Sequence, residues 1–257
     1  MINPKKYLLP VLFLTFTSLL SCTGSRLYNS RIEGTKTAIT ADLNNKQEIE
    51  TFIAPYREHI DKDLSTVLAY SPETMDKSKS INKWQTTIGN LLADATFAKA
   101  DKLFKAQQNK GVDICLLNHG GIRSIIPQGN VTTRTAFNIM PFENSLIIVA
   151  LRGEQVREMA DYIAREKKPH PLSGMRIVLG KDGLVKDVTV QGRKVGTDNI
   201  YNVATSDYLS AGGDNMEFFK KAKATYDMDY KLRNLFIDYF KEIDTLPVIK
   251  TERIITE

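Results

Sequence analysis

Residues 113–153 read DICLLNHGGIRSIIPQGNVTTRTAFNIMPFENSLIIVALRG, and the fold turns on this stretch. Ile114 to Leu117 is an apolar run short enough for a buried strand. It stops at Asn118-His119-Gly120-Gly121-Ile122-Arg123, where two glycines let the backbone turn sharply and approach another group closely. Arg123 adds a planar, permanently charged fork of donors. A Gly129-Asn130 turn, a helix start at Thr132-Thr133, a Pro141-Phe142 step and a second apolar strand, Leu146 to Leu151, follow; Gly153 and Glu154 open another helix. A strand that ends in a glycine turn beside polar side chains is how an α/β sheet builds a ligand crevice.

A lone Gly-Gly would read as a surface turn, with Arg123 a solvated charge. The design recurs, however. Tyr201 to Leu209 (YNVATSDYL) reads as a strand, and Ser210-Ala211-Gly212-Gly213-Asp214 closes it. Two strands, each ending in a double glycine beside polar groups, point to one shared site.

Outward from these segments, helices alternate with short strands. Lys46 to Leu68 carries Ile49, Phe52, Ile53, Tyr56, Ile60 and Leu64 at helical spacing, so an amphipathic helix is expected, kinked or split at Pro55, with its aromatics in the core. Thr66 to Ser71 fits a strand and Pro72 to Lys83 a polar loop. Thr86 to Gln107 is the strongest helix, capped by Thr86 or Thr87, with Ile88, Leu91, Leu92, Ala95, Ala98 and Leu103 as its stripe. Gly153 to Lys168 is a helix with Val156, Met159, Ala160 and Ile163 inward. Met175–Leu179, Val185–Val190 and Lys194-Val195 read as strands joined by turns at Lys181-Asp182-Gly183 and Gln191-Gly192. Tyr226 to Phe240 reads as a last helix packing through Leu232, Leu235, Phe236 and Tyr239.

The 257 residues carry a formal charge of +5, a modest and scattered excess that argues for no nucleic-acid role. Residues 1–21 read as a signal peptide: Lys5-Lys6, then an apolar Leu8–Leu20 too short to span a bilayer comfortably. Leu19-Leu20-Ser21-Cys22 resembles a bacterial lipobox, which implies lipid on Cys22 and a domain held at a membrane of the cell envelope, in the periplasm or at the cell surface. An ordinary secretory signal with an incidental Cys22 is the competing reading. Residues 22–45 are polar and read as a tether, and 46–257 as the folded domain. Cys115, inside the first strand, reads as a small buried apolar residue.

LNHGGIRS, MPFENSL and YLSAGGD together, in this order, resemble the C-terminal, substrate-binding domain of bacterial and animal 5'-nucleotidases; Ile88-Gly89-Asn90-Leu91-Leu92-Ala93-Asp94-Ala95 resembles that family's GNLIADA helix, with Asp94 structural. The resemblance implies an α/β (α+β) fold, a mixed sheet flanked by helices. It also implies a substrate site made of Asn118, Gly120, Gly121, Arg123, Phe142, Tyr208, Gly213 and Asp214. A purine would lie between Phe142 and Tyr208, since stacking on an aromatic side chain is worth about 1–3 kcal/mol per base. Tyr208 stands where the family usually has Phe. Asp214 would accept from the ribose hydroxyls, Asn118 would meet the base edge and Arg123 the ribose or phosphate. Taken alone, Phe142 and Tyr208 fit core packing equally well, and Asp214 fits a turn residue.

Two departures stand out. The family commonly has Arg residues shortly before the GNLIADA helix; here Ser80–Thr87 offers only Lys83, with Trp84 placed to pack instead. The complete enzyme also has an N-terminal metallophosphoesterase domain holding two metals, whereas this chain has three histidines, His59, His119 and His170, without that domain's metal motifs. The expectation is therefore no metal or cofactor in this chain. Its partners would be a nucleotide or nucleoside and a separate metallophosphoesterase chain carrying divalent metals, the two chains forming a split 5'-nucleotidase. A non-catalytic nucleoside-binding lipoprotein, or a degenerate interaction domain, is the alternative.

Overall fold

A computed structural model describes residues 29–40 and 45–257. The expected signal peptide, Cys22 and parts of the expected tether lie outside the described residues; residues 29–40 carry no regular secondary structure. The chain divides into two units, Met1–Thr51 and Phe52–Glu257.

In chain order the elements are α1 (Gln47–Leu64), β1 (Val67–Ser71), α2 (Thr87–Gln108), β2 (Ile114–Leu116), β3 (Gly129–Thr132), α3 (Thr133–Ile139), β4 (Ser145–Arg152), α4 (Gly153–Glu166), β5 (Leu172–Ser173), β6 (Met175–Leu179), β7 (Val185–Val190), β8 (Arg193–Lys194), β9 (Ile200–Ser206), the one-turn α5 (Asp207–Ser210), β10 (Ala224–Lys231), α6 (Leu232–Lys241) and β11 (Ile254–Thr256). The central sheet has the order β10-β4-β9-β2-β5; a four-stranded sheet runs β11-β6-β7-β8, and β1 pairs with β3. Because β2 is parallel to β9 while β4 is antiparallel to it, the central sheet is mixed. The expected α/β class therefore holds.

Alternation along the central strands builds two cores. On β4, Leu146 and Ile148 enter one cluster, and Ile147, Val149 and Leu151 enter the other. The first cluster is closed by α2 and α6, the second by α4 and the inward residues of β6 and β7. With both faces covered, β4 is buried from Leu146 to Leu151 and reads as a continuous apolar run. Thr86 caps α2 by accepting from the Gly89 N–H, a cap worth about 1 kcal/mol. Ala98, expected inward on α2, is exposed; the buried row continues instead through Thr96, Ala100 and Phe104, stepping four residues at a time.

Four expectations need correction. Residues 224–231 form an edge strand paired with β4, and the last helix begins only at Leu232. Their alternation places Met228 inside the core, and the helical stripe Leu232, Leu235, Phe236 starts where the strand ends. The strand expected to reach Leu209 stops at Ser206, whose hydroxyl accepts from the Leu209 N–H and caps α5. Gly129-Asn130 opens β3 rather than forming a turn. Finally, α1 runs through Pro55 as one helix and buries none of its residues; Phe52, Tyr56 and Ile60 are exposed rather than core. No helix among the described residues is long and apolar enough to cross a membrane.

Candidate functional site

The sheet topology brings three sequence segments to one edge. Parallel β2 and β9 finish on the same side, and antiparallel β4 starts there, with Leu146 opposite Ser206. The turn after β2, the turn after β9 and the residues entering β4 therefore converge at the carboxyl ends of two parallel strands, where α/β sheets hold ligands. A pocket of about 420 Å³ opens there. Seven of the eight residues expected from sequence line it: Asn118, Gly120, Gly121, Arg123, Phe142, Tyr208 and Asp214. The eighth, Gly213, lies against the Tyr208 ring.

The two glycine turns solve different packing problems. After β2, residues 119–121 make a 3-10 turn in which the Gly121 N–H donates to the Asn118 carbonyl at 3.1 Å. A Cβ on Gly121 would lie 2.6 Å from Asn118 Oδ1, so glycine lets the Asn118 amide fold over its own turn. After β9, a Cβ on Gly213 would lie 2.5 and 2.6 Å from two carbons of the Tyr208 ring and 2.6 Å from the Tyr208 carbonyl oxygen. Asp214 then takes a left-handed conformation, φ 53°.

The turns meet through side chains. Asn118 Nδ2 donates to Asp214 Oδ2 at 2.7 Å, and the Tyr208 hydroxyl donates to Asp214 Oδ1 at 2.8 Å. The Asp214 carboxylate is thus held by one donor on each oxygen, with a further lone pair on each for another donor. Phe142 and Tyr208 are 44% and 47% exposed, unlike the core aromatics, and both line the pocket. The Arg123 guanidinium stands 5.8 Å from the Phe142 ring centre, and its Nη1 donates to the Gly120 carbonyl at 3.3 Å. The site thereby combines two part-exposed aromatic rings, a fixed acceptor and a permanent cation, groups able to pack against a planar ring and to meet hydroxyl and anionic groups.

Several residues escaped the sequence reading. Asn144 also lines the pocket; its Nδ2 donates to Asp207 Oδ1 at 2.7 Å. Its signal was its place in MPFENSL. Lys77, in the loop before α2, donates to the Ile122 carbonyl at 2.5 Å, placing a cation against the NHGGIR turn. His119 and His170, which sequence treats separately, meet: the His119 N–H donates to His170 Nδ1 at 3.2 Å. Burial pushes the His170 imidazole down to about 4, with the neighbouring His119 acting in the same direction; burial, helped by Lys77, also lowers His119. Tyr162, on α4, donates to the Asp214 carbonyl at 2.7 Å, and its hydroxyl is pushed up to about 12 by burial and then by the Glu166 charge.

Other expected positions serve the scaffold. Asp94 pairs with Arg253 at 2.6 Å and accepts from Ser173 at 2.6 Å. Trp84 packs partly buried against the second core, and Lys83 sits in a left-handed turn, φ 73°. Cys115 is fully buried, and burial pushes its thiol far above its ordinary value. Among the described residues no group of three or more His, Cys, Asp or Glu side chains gathers as metal ligands would.

Residues 66–221, more than half of the chain, match the family described as 5'-nucleotidase, C-terminal domain. The chain belongs to this family, the substrate-binding domain of nucleotide-handling enzymes. It is 28% identical over 227 residues to the trifunctional nucleotide phosphoesterase protein YfkN of Bacillus subtilis, covering 82% of this chain and 15% of that protein. It is 29% identical over 221 residues to the cell wall protein Lmo0130 of Listeria monocytogenes, covering 80% of this chain and 26% of the relative. The 5'-nucleotidase precursor of Thermus thermophilus shares the fold, with a TM-score of 0.68 at 22% identity over 80% of this chain and 42% of that one. The chain thus spans less than half the length of each.

Proposed function

We propose that this chain is the nucleotide-binding half of a split 5'-nucleotidase. It orients a 5'-nucleotide whose phosphate ester is hydrolysed by a separate metallophosphoesterase chain. The observation that carries the reading is the pocket itself: Phe142 and Tyr208 offer ring faces beside an Asp214 carboxylate pinned by Asn118, with Arg123 alongside. The base stacks between the rings, the ribose hydroxyls donate to the open lone pairs of Asp214, and Asn118 and Asn144 meet polar edges. Arg123 holds the ribose or phosphate side. Divalent metals, supplied by the partner, would activate water and neutralise charge on the phosphoryl group. This chain's own residues bind and orient.

The split reading is supported by the pocket set beside a sequence with three histidines and without the metallophosphoesterase metal motifs. Cys22 carries the lipid that holds the domain at the cell envelope. Purification of the lipidated protein from native membranes tests the partnership. A metallophosphoesterase recovered in stoichiometric amount is the expected result; none recovered under gentle extraction contradicts it and leaves a stand-alone nucleoside-binding lipoprotein. Phe142→Ala is expected to weaken adenosine binding about tenfold, and unchanged affinity would remove the pocket from the account.

A further inference from the structure

Beneath the pocket lies a pair of side chains that line none of it. Tyr162 projects from α4, and His170 sits in the segment between α4 and β5. They are 4% and 3% exposed, and their ring centres stand 5.8 Å apart. His170 Nδ1 accepts the N–H of His119, in the first glycine turn, at 3.2 Å. The Tyr162 hydroxyl donates to the carbonyl of Asp214, in the second, at 2.7 Å. Above them, Asn118 and Asp214 join the same two turns through their side chains. The turns are therefore linked twice, once at the pocket surface and once below.

We propose that Tyr162 and His170 are positioning residues that couple the two glycine turns from below and thereby set the Asn118–Asp214 pair for ligand. The consequence for binding rests on the nucleotide reading above; the coupling itself does not. Three features favour a fixed brace over ordinary packing. Each ring spends its directional hydrogen bond on a backbone group of a different turn. His170 Nε2 is buried with no partner, so the ring is placed for its Nδ1 contact and not for its own satisfaction. Tyr162 is itself wedged edge-on against Phe218 at 5.7 Å, which limits its freedom to let Asp214 move. The charged and titratable groups around His170 are His119, Asp214, Lys168 and Glu166.

Three variants separate the brace from general stability. Tyr162→Phe keeps the ring and removes the donor. His170→Asn keeps an acceptor where Nδ1 stands, and His170→Leu removes it. Two readouts are taken: AMP affinity by calorimetry, and amide hydrogen exchange of the ligand-free protein. His170→Leu is expected to weaken AMP binding about tenfold, and His170→Asn to stay within about twofold of the parent. Without ligand, His170→Leu speeds exchange in residues 212–215 as well as 118–122, and Tyr162→Phe does the converse, while α2 and β4 stay protected. Exchange that changes only at the turn each residue touches, or that rises throughout the domain, overturns the proposal. So does His170→Asn behaving like His170→Leu. If the parent protein binds no AMP, the nucleotide reading fails, and the exchange pattern alone decides the coupling.

Discussion

The two glycine turns look interchangeable in sequence, yet the structure uses them in opposite ways. At Asn118–Gly121 the glycine makes room for the far end of a side chain, the Asn118 amide. At Gly212–Asp214 it makes room for a ring and for backbone, since the Tyr208 ring and the Tyr208 carbonyl both crowd Gly213. The first turn supplies a polar edge, and the second supplies an aromatic face and the carboxylate. Equal motifs therefore carry unequal mechanical loads, and substitutions should reveal the asymmetry.

The largest expected effect concerns the support of the first turn. His170 titrates near 6.5 when unfolded and at about 4 in the fold. Between these values the unfolded chain binds more protons, so this stability contribution is complete above about pH 6.5 and falls as pH drops toward 4, by about 3 kcal/mol. Urea unfolding of the parent and of His170→Asn should diverge by about that amount between pH 7 and pH 4, the variant being less sensitive. Parallel pH profiles would remove His170 from the support.

Gly213→Ala comes next. Its Cβ meets backbone as well as ring, so about 2 kcal/mol of stability is lost along with the placement of Tyr208, measurable by chemical denaturation. Tyr208→Ala removes one stacking face and should cost about 1–2 kcal/mol of nucleotide binding with little change in fold, measured by titration calorimetry. Gly121→Ala is the smallest in stability, below about 1 kcal/mol, because Asn118 can swing away. Its signature is weakened binding, since the swing releases Asp214. If Gly121→Ala destabilises as much as Gly213→Ala, the asymmetry between the turns is wrong.

Much of the scaffold was legible because local signals agreed. Val156, Met159, Ala160 and Ile163 keep helical spacing and all face the second core, and Leu146–Leu151 is an unbroken apolar run that became a doubly covered strand. Residues 224–231 misled because Tyr226, Met228 and Tyr230 adjoin a true helical stripe, and nothing local marks the change of period at Leu232. On α1, spacing identified the helix but could not tell what its apolar stripe would face. For the candidate site, the double glycines flagged the two turns that line the pocket. Asn144, Tyr162, His170 and Lys77 stayed hidden because their partners lie tens of residues away in the chain and are brought near only by the β4-β9-β2 order.

The central claim, that this chain binds a nucleotide and leaves its hydrolysis to another chain, is tested most directly by calorimetry. AMP would be injected into purified protein lacking residues 1–22, with manganese and zinc present. The account predicts a saturable, single-site heat with no thermal power persisting after each injection. Sustained power from phosphate release would show that the chain hydrolyses AMP alone, and no heat at all would show that the pocket is not a nucleotide site; either result contradicts the account.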